Sequence, residues 1–313
     1  MLAVTFAEFG GPDVLRITEM PEPTPGPGEI VVRVGASPVN PTDIMMRSGV
    51  QAPLMVGLNP PYIAGMEFAG HVHSFGDGVS GLTAGRPVMG VVNPRRPAGG
   101  AHTQFVCVPA ASVAALGQDF DLVVAATVPM NGLTARTALD LLELRPGNTL
   151  LVTGAAGVLG GYVIQLAKRD GLIVVADAKE SDVKWLQELG ADVIVPRDGM
   201  DAAIRERYPL GVDGVVDTAL LADRAGALVR DGGAAVSVRK THPINDPRLR
   251  HRHVAVIEQM GNTVALKQLA ELLQGSGLAI RIVARLPMSE AAKAHRMTEE
   301  GSLRGRVVLT FAA

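Results

Sequence analysis

The sequence predicts an α/β chain of two domains, a β-rich one at the front and a doubly wound parallel sheet behind it. Three observations lead there. Residues 1 to about 115 carry short β-type runs broken by glycine and proline, residues from about 122 to 262 alternate helical and strand patterns, and a glycine turn near residue 155 joins a buried run to an amphipathic stretch. Short strands with dense turns argue for a barrel or sandwich. Strands separated by helices argue for a parallel sheet.

Met1 to Glu8 reads as a strand, with neither the basic start nor the long apolar core of a signal peptide. Pro21-Glu22-Pro23-Thr24-Pro25-Gly26-Pro27-Gly28 cannot be helix or central strand and is expected to be an extended surface connection. Strands follow at Ile30 to Val34, Phe68 to Val72, Pro87 to Val92 and Thr103 to Val108. In the second zone a helix is expected over Ser181 to Leu189, a strand over Asp192 to Val195 and a helix over Met200 to Arg207. A strand over Gly214 to Asp217, a helix over Leu221 to Arg230 and a strand over Ala234 to Val238 continue the alternation. Two amphipathic helices (Val264 to Leu273 and Ser289 to Glu299) and a strand (Arg306 to Phe311) are read as returning to complete the front domain. The expected division is 1–121 with 263–313, and 122–262, with ligand in the cleft facing the carboxyl ends of the parallel strands.

The glycine turn carries the first chemical signal. Leu150 to Thr153 runs into Gly154-Ala155-Ala156-Gly157-Val158-Leu159-Gly160, and apolar residues then recur at Tyr162, Val163, Leu166 and Ala167. A second apolar run, Leu172 to Ala176, ends on Asp177, twenty residues past Gly157. This is the layout of a dinucleotide-binding unit. Gly157 lets backbone approach a pyrophosphate, Gly160 lets the helix pack close to the strand, and the helix N-terminus offers N–H groups and a positive dipole. Gly154, Ala156, Gly157, Val158 and Leu159 are the candidate contacts. Ala155 stands where the GxGxxG pattern has its first glycine, so the window also fits an ordinary strand-turn-helix crossover.

Composition sets bounds. With a net charge of −2 and only 4% aromatics, no broad basic surface suggests a nucleic-acid partner. No apolar run is long enough to span a bilayer, so no membrane partner is expected. The single cysteine, Cys107, excludes an intrachain disulfide and a multi-cysteine zinc site, and its apolar strand suggests packing. A reducing, cytoplasmic setting is expected.

Several ordered motifs then make a resemblance. They are Gly10-Gly11-Pro12-Asp13-Val14-Leu15, Pro38-Val39-Asn40-Pro41-Thr42-Asp43 with Arg47-Ser48-Gly49, and Pro61-Tyr62-Ile63-Ala64-Gly65-Met66-Glu67-Phe68-Ala69-Gly70. Val128-Pro129-Met130-Asn131-Gly132-Leu133-Thr134-Ala135, the glycine turn, Leu189-Gly190-Ala191-Asp192 and Leu303-Arg304-Gly305-Arg306-Val307-Val308-Leu309 complete the set. Together they resemble the medium-chain dehydrogenases/reductases, in the quinone oxidoreductase (zeta-crystallin-like) branch. The resemblance implies a GroES-like catalytic domain plus a Rossmann domain, an NAD(P)H-dependent reductase of quinones or α,β-unsaturated carbonyls, and a homodimer, with edge strands such as His253 to Ile257 as its pairing edge. An enoyl reductase on thioester or polyketide-type intermediates, and a catalytically idle NADPH-binding protein, are the alternatives. Zinc-dependent relatives have cysteine, histidine and cysteine near the positions of Asn40, Met66 and Asn131, so no metal is expected here. His71 and His73, two apart on a strand, are read as a polar face rather than a metal pair.

Site assignments follow. The resemblance places Asn40 beside the nicotinamide, where its carboxamide can donate to developing negative charge; holding the Val39-Asn40-Pro41 turn is the competing role. Asp43 is a candidate with it, or an anchor paired to Arg47. Tyr62 is a candidate proton donor or pocket phenol, with packing as the alternative. Met45 stands where relatives often have tyrosine, which points to protonation by solvent. Asp177 would bind ribose hydroxyls and favour NAD. The resemblance instead implies NADP, with Lys179 and Arg197 as the phosphate-binding cations. Asn131 and Thr134 would touch the nicotinamide ribose or a phosphate, or cap a helix. Val238 ends a strand near the nicotinamide end, and Arg239 and Lys240 follow it, as binders of phosphate or an acidic substrate or simply as a basic loop.

Overall fold

The computed structural model describes residues 1–311. They form two compact units, Met1–Met130 with Met260 onward and Asn131–Gln259; the sequence reading places the division at 121/122 and 262/263.

In chain order the first unit contains β1 (Leu2–Phe6), β2 (Arg16–Glu19), β3 (Glu29–Pro38), α1 (Pro41–Arg47), β4 (Tyr62–Ile63), β5 (Glu67–Phe75), β6 (Pro87–Val91), β7 (Phe105–Pro109), β8 (Val113–Ala115) and α2 (Leu122–Ala125). Then come α3 (Pro129–Leu142), β9 (Thr149–Thr153), α4 (Val158–Arg169), β10 (Ile173–Ala178), α5 (Val183–Glu188), β11 (Val193–Pro196), α6 (Met200–Arg207), β12 (Val212–Asp217), α7 (Asp223–Gly226), β13 (Val229–Ser237) and β14 (Arg250–His253). The chain returns to the first unit with α8 (Thr263–Gln274), β15 (Ile282–Pro287), α9 (Ala291–Glu300) and β16 (Arg306–Thr310).

Among the described residues, the first unit has a seven-stranded sheet in the order β15-β16-β3-β5-β6-β8, with β7 also on β3, and a small sheet β2-β1-β4. The C-terminal strand β16 pairs antiparallel with β3 through Val308↔Pro38 and Thr310↔Ala36. Ile30, Val32 and Val34 of β3 pack with Phe68, Val72, Val88, Val106 and Leu309 in one buried core. Each such side chain contributes about 1.5–3 kcal/mol when fully buried. The strand β3 is buried over residues 30–32 and 36–38, with Arg33 exposed between them, and it has paired neighbours on both edges.

The second unit has one parallel sheet, β11-β10-β9-β12-β13-β14. This order steps outward from β9 in both directions, so the carboxyl ends of β9 and β12 flank a switch point. Leu151, Val175, Val195, Ile204, Val215 and Ala235 fill its core.

Four local expectations need correction. The helix expected over Leu221 to Arg230 is only α7, because Val229 is drawn into the sheet opposite Val212 and Asp217 Oδ2 accepts Ala222 N at 2.8 Å. His71 and His73 do not share a simple alternation: β5 carries an extra residue at His73, where pairing steps from Val72↔Val32 to Ser74↔Val31. His73 pairs with Glu22 (3.1 Å) and meets the Phe105 ring edge-on. The edge strand expected over His253 to Ile257 lies earlier, as β14, the outer strand of its sheet. Arg47 does not pair with Asp43, although four residues on they share a helix face; Asp43 accepts Asn40 N and Gly65 N instead, and the Arg47 guanidinium bonds Glu299 of α9.

Candidate active site

In the first unit the sequence builds a buried polar cluster around the start of α1. Asn40 is the N-cap, followed by proline at the first helical position, and Asp43 three residues on closes a capping box. Asp43 Oδ2 accepts Asn40 N at 2.8 Å, and Oδ1 accepts Gly65 N at 2.9 Å, so the carboxylate ties the helix start to the segment entering β5. Burial pushes the Asp43 carboxyl up, against the pull of His102 and these N–H donors.

The Asn40 carboxamide, part of this capping box, also reaches across to other elements. Nδ2 donates to Glu67 Oε1 at 3.0 Å, and Oδ1 accepts Arg306 Nη1 at 2.8 Å. Arg306 also bonds Glu67 Oε1 directly, and Glu67 Oε2 accepts Met130 N at 2.8 Å. Asn40, Glu67 and Arg306 are all buried. Burial raises the Glu67 carboxyl, and the Arg306 charge pulls it back. Neither Glu67 nor Arg306 was singled out as a functional residue by sequence, although both lie inside motifs that were. Their pairing spans 239 residues and has no local signature.

Beside this cluster, Arg47 reaches His295 Nδ1 (3.4 Å), and the His295 and His102 rings meet edge-on with centroids 5.9 Å apart. His102 Nε2 donates to Pro38 O at 3.2 Å. Burial, with His102 and Arg47 adding, holds His295 well below the ordinary imidazole range.

Tyr62 is not among these groups. Its ring stacks on Phe9 (5.8 Å) and tilts against Phe6 (5.4 Å), and its hydroxyl donates to Leu58 O at 3.3 Å. It lines a cavity of about 250 Å³ with Leu58, Arg96, Phe105 and Cys107, none of it formed by Asn40 or Glu67. The Cys107 thiol is pushed up to about 11 by burial and by Glu29, so it is held as a thiol rather than a nucleophilic thiolate.

In the second unit the candidate cofactor residues gather at the carboxyl ends of the parallel strands. Gly154 follows β9 with φ of +62°, a turn that a side chain would strain. A Cβ on Gly160 would lie 2.6 Å from Gly154 O and 2.8 Å from Ala155 Cα, so only glycine lets α4 pack this close to its strand. Val158 and Leu159 open α4, where helix N–H groups have no intrahelical acceptor. Lys179 follows β10, Arg197 follows β11, and Val238 and Arg239 follow β13. Asn131 and Thr134 lie within α3, both buried, and neither occupies its N-cap.

Asp177 has protein partners on both carboxylate oxygens. The carboxylate is buried, with Oδ1 accepting Ala155 N at 3.0 Å and Oδ2 accepting Arg197 Nε at 2.7 Å. It clamps the glycine turn to β10 and holds Arg197, whose side chain keeps 34% exposure. Asp217, which sequence reasoning did not single out, plays a matching part: Oδ1 accepts Thr153 Oγ1 at 2.6 Å. A close-packed helix, open N–H groups and a cation at this turn fit a dinucleotide phosphate.

The comparisons with known proteins agree with this fold. Residues 26–118 match the alcohol dehydrogenase GroES-like domain, and residues 189–309 match the zinc-binding dehydrogenase domain. The chain is 31% identical to the 2-haloacrylate reductase of Burkholderia sp over 219 residues, 69% of this chain and 64% of that protein. It is 27% identical to the chloroplastic NADPH-dependent alkenal/one oxidoreductase of Arabidopsis thaliana, over 99% of this chain and 79% of that protein. The structure of the quinone oxidoreductase from Coxiella burnetii superposes with a TM-score of 0.88 at 28% identity, covering 99% of each chain. The matched part spans only 38% of the mouse synaptic vesicle membrane protein VAT-1 homolog-like, at 37% identity over 168 residues, 53% of this chain.

The two domain matches and the fold place the chain in the medium-chain dehydrogenase/reductase superfamily. The residues at the zinc-ligand positions of this chain do not fit zinc. Asn40 and Met66 offer a carboxamide and a thioether, and the Arg306 guanidinium occupies the bonding distance where a second cation would have to approach Asn40. Among the described residues no group of three His, Cys, Asp or Glu could hold a metal ion, and no helix is long and apolar enough to cross a membrane.

Proposed function

We propose that the protein is a zinc-independent, NADPH-dependent reductase whose acceptors are quinones or α,β-unsaturated carbonyl compounds. The carrying observation is the buried Arg306–Asn40–Glu67 chain. A cation on Oδ1 and a carboxylate on Nδ2 leave one orientation for the carboxamide, and the cation polarises it so that its N–H groups donate more strongly. Reduced nicotinamide, when bound, supplies the hydride. Asn40 then meets the negative charge that develops on the acceptor oxygen. Asp43 positions the helix start rather than exchanging a proton, since both its oxygens accept backbone N–H groups. Methionine at positions 45 and 66 can donate no proton, so the proton that completes reduction of a C=C bond comes from water.

The relatives support this class of acceptor. Alkenals, quinones and haloacrylates, the compounds named for three of them, all present an electron-poor carbon conjugated to oxygen. NADPH over NADH is supported by Asp177, whose charge is already met by Arg197 and Ala155 N–H. It therefore repels a 2′-phosphate less, while Arg197 and the exposed Lys179 attract one. Gly154, Ala156, Gly157, Val158 and Leu159 would hold the pyrophosphate, and Asn131, Thr134, Val238 and Arg239 the nicotinamide end. A homodimer paired along β14 extends the proposal, and light scattering tests it.

The test follows oxidation of NADPH and NADH in parallel, with a para-quinone and an unsaturated ketone as acceptors, in chelator. Expected is NADPH oxidation that survives chelation and falls about 100-fold in kcat/KM in Asn40→Ala, the size of losing one oxyanion donor. No turnover with either acceptor, or an Asn40→Ala variant within threefold of the parent, overturns the proposal.

A further inference from the structure

Among the half-buried arginines, Arg136 meets Asp140 and Asp170 and Arg197 meets Asp177, while the fully buried Arg47 has Glu299. Arg96 spends its N–H groups on the carbonyls of Gly99 and Cys107. Arg95 is different. Its side chain is half-buried, and among the described residues no carboxylate bonds it; Nη1 donates to Gln51 Oε1 at 2.9 Å. Burial alone lowers the guanidinium from its ordinary value, with no acid to pull it back.

The geometry ties this cation to the Asn40 cluster from two sides. Gln51, only 7% exposed, donates its own N–H to Met45 O of α1, the helix that Asn40 caps. On the other side, Arg95 N donates to Asn93 Oδ1, and Val92 N donates to Met66 O, next to Glu67. The segment carrying Gln51 also exposes an apolar rim, Val50 (64%), Leu54 (64%) and Val56 (87%). A carboxamide orients a guanidinium without neutralising it. An anion reaching Arg95 would offset that desolvation, and a planar fork bonded to the segment that carries the apolar rim matches a carboxylate on an apolar body.

We propose that Arg95, held by Gln51, is the subsite for a carboxylate on the acceptor, so that the preferred substrates are unsaturated carbonyl compounds carrying an acid group. The proposal rests on the reductase reading for its chemistry, and not for the binding it predicts. One matched pair tests it: trans-4-oxo-2-pentenoate and its methyl ester, titrated calorimetrically into the purified full chain and then used as acceptors with NADPH. The parent is expected to bind the acid at least tenfold more tightly than the ester. Arg95→Gln should weaken the acid by on the order of 10- to 100-fold, the range of a charge-assisted pair, and the ester by less than about threefold. Arg95→Lys should recover part of the loss. Equal binding of acid and ester, no binding of either, or equal weakening of both in Arg95→Gln overturns the assignment. Binding with that pattern but no NADPH oxidation overturns the reductase reading alone.

Discussion

Replacing Arg306 with methionine strands the Glu67 carboxylate. Both side chains are buried, and once the guanidinium is gone Glu67 keeps Asn40 Nδ2 and Met130 N as donors. Breaking a buried ion pair from one side costs about 3–5 kcal/mol. At about 2 kcal/mol per M of urea, the midpoint followed by circular dichroism should fall by about 1.5–2.5 M at pH 7.5. The escape open to Glu67 is to take up a proton. Without Arg306 its folded-state pKa, already raised by burial, rises further above that of the unfolded chain. A carboxyl raised in the folded state stabilises it below the unfolded pKa and loses that contribution as pH climbs toward the folded one. The Arg306→Met deficit should therefore be smaller at pH 5 than at pH 8. Glu67→Gln added to Arg306→Met removes the stranded charge and should restore more than half of the lost stability. A midpoint shift below about 0.3 M at pH 7.5, or a deficit of equal size at pH 5 and pH 8, refutes the reasoning.

Three further outcomes are expected. Arg197→Ala should raise KM for NADPH by about 10- to 100-fold and leave NADH within a few-fold, a split read from parallel cofactor titrations; equal effects on both would remove Arg197 from phosphate recognition. Gly160→Val places a Cβ 2.6 Å from Gly154 O, so NADPH binding followed by fluorescence should weaken at least tenfold and the melting temperature should drop by several degrees, with a normal affinity counting against the close-packed turn. His295 is neutral in the fold because burial, His102 and Arg47 hold its pKa down. A depressed folded-state pKa means that stability is full above the unfolded value and is lost as pH falls through about 6.5, by up to about 1.4 kcal/mol per pH unit. His295→Gln should flatten the urea midpoint between pH 7 and pH 5; an unchanged slope would show that another group sets it.

Local chemistry is what the sequence could carry. The 3.6-residue stripe after Gly157, the alternation and turns of the front domain, and the capping pattern from Asn40 to Asp43 each lie within a short window, so helix, strand and cap are legible from neighbours alone. The departures are equally physical. Val229 reads as helix by its neighbours, but the backbone groups of β12 offer it a partner at Val212. Asp177 reads as a ribose ligand by position, yet Arg197 and Ala155 N reach it across β10 and the glycine turn. The buried polar cluster at the start of α1 was legible only in half. Asn40 and Asp43 are seven-residue-window features, whereas Glu67–Arg306 and Arg47–Glu299 join residues 239 and 252 apart. The sequence by itself determined the class of fold, the dinucleotide turn and the missing zinc ligands. Only the tertiary structure decided which charges meet, because the return of β16 beside β3 and of α9 beside α1 brings those distant side chains into one buried place, where each must find a partner.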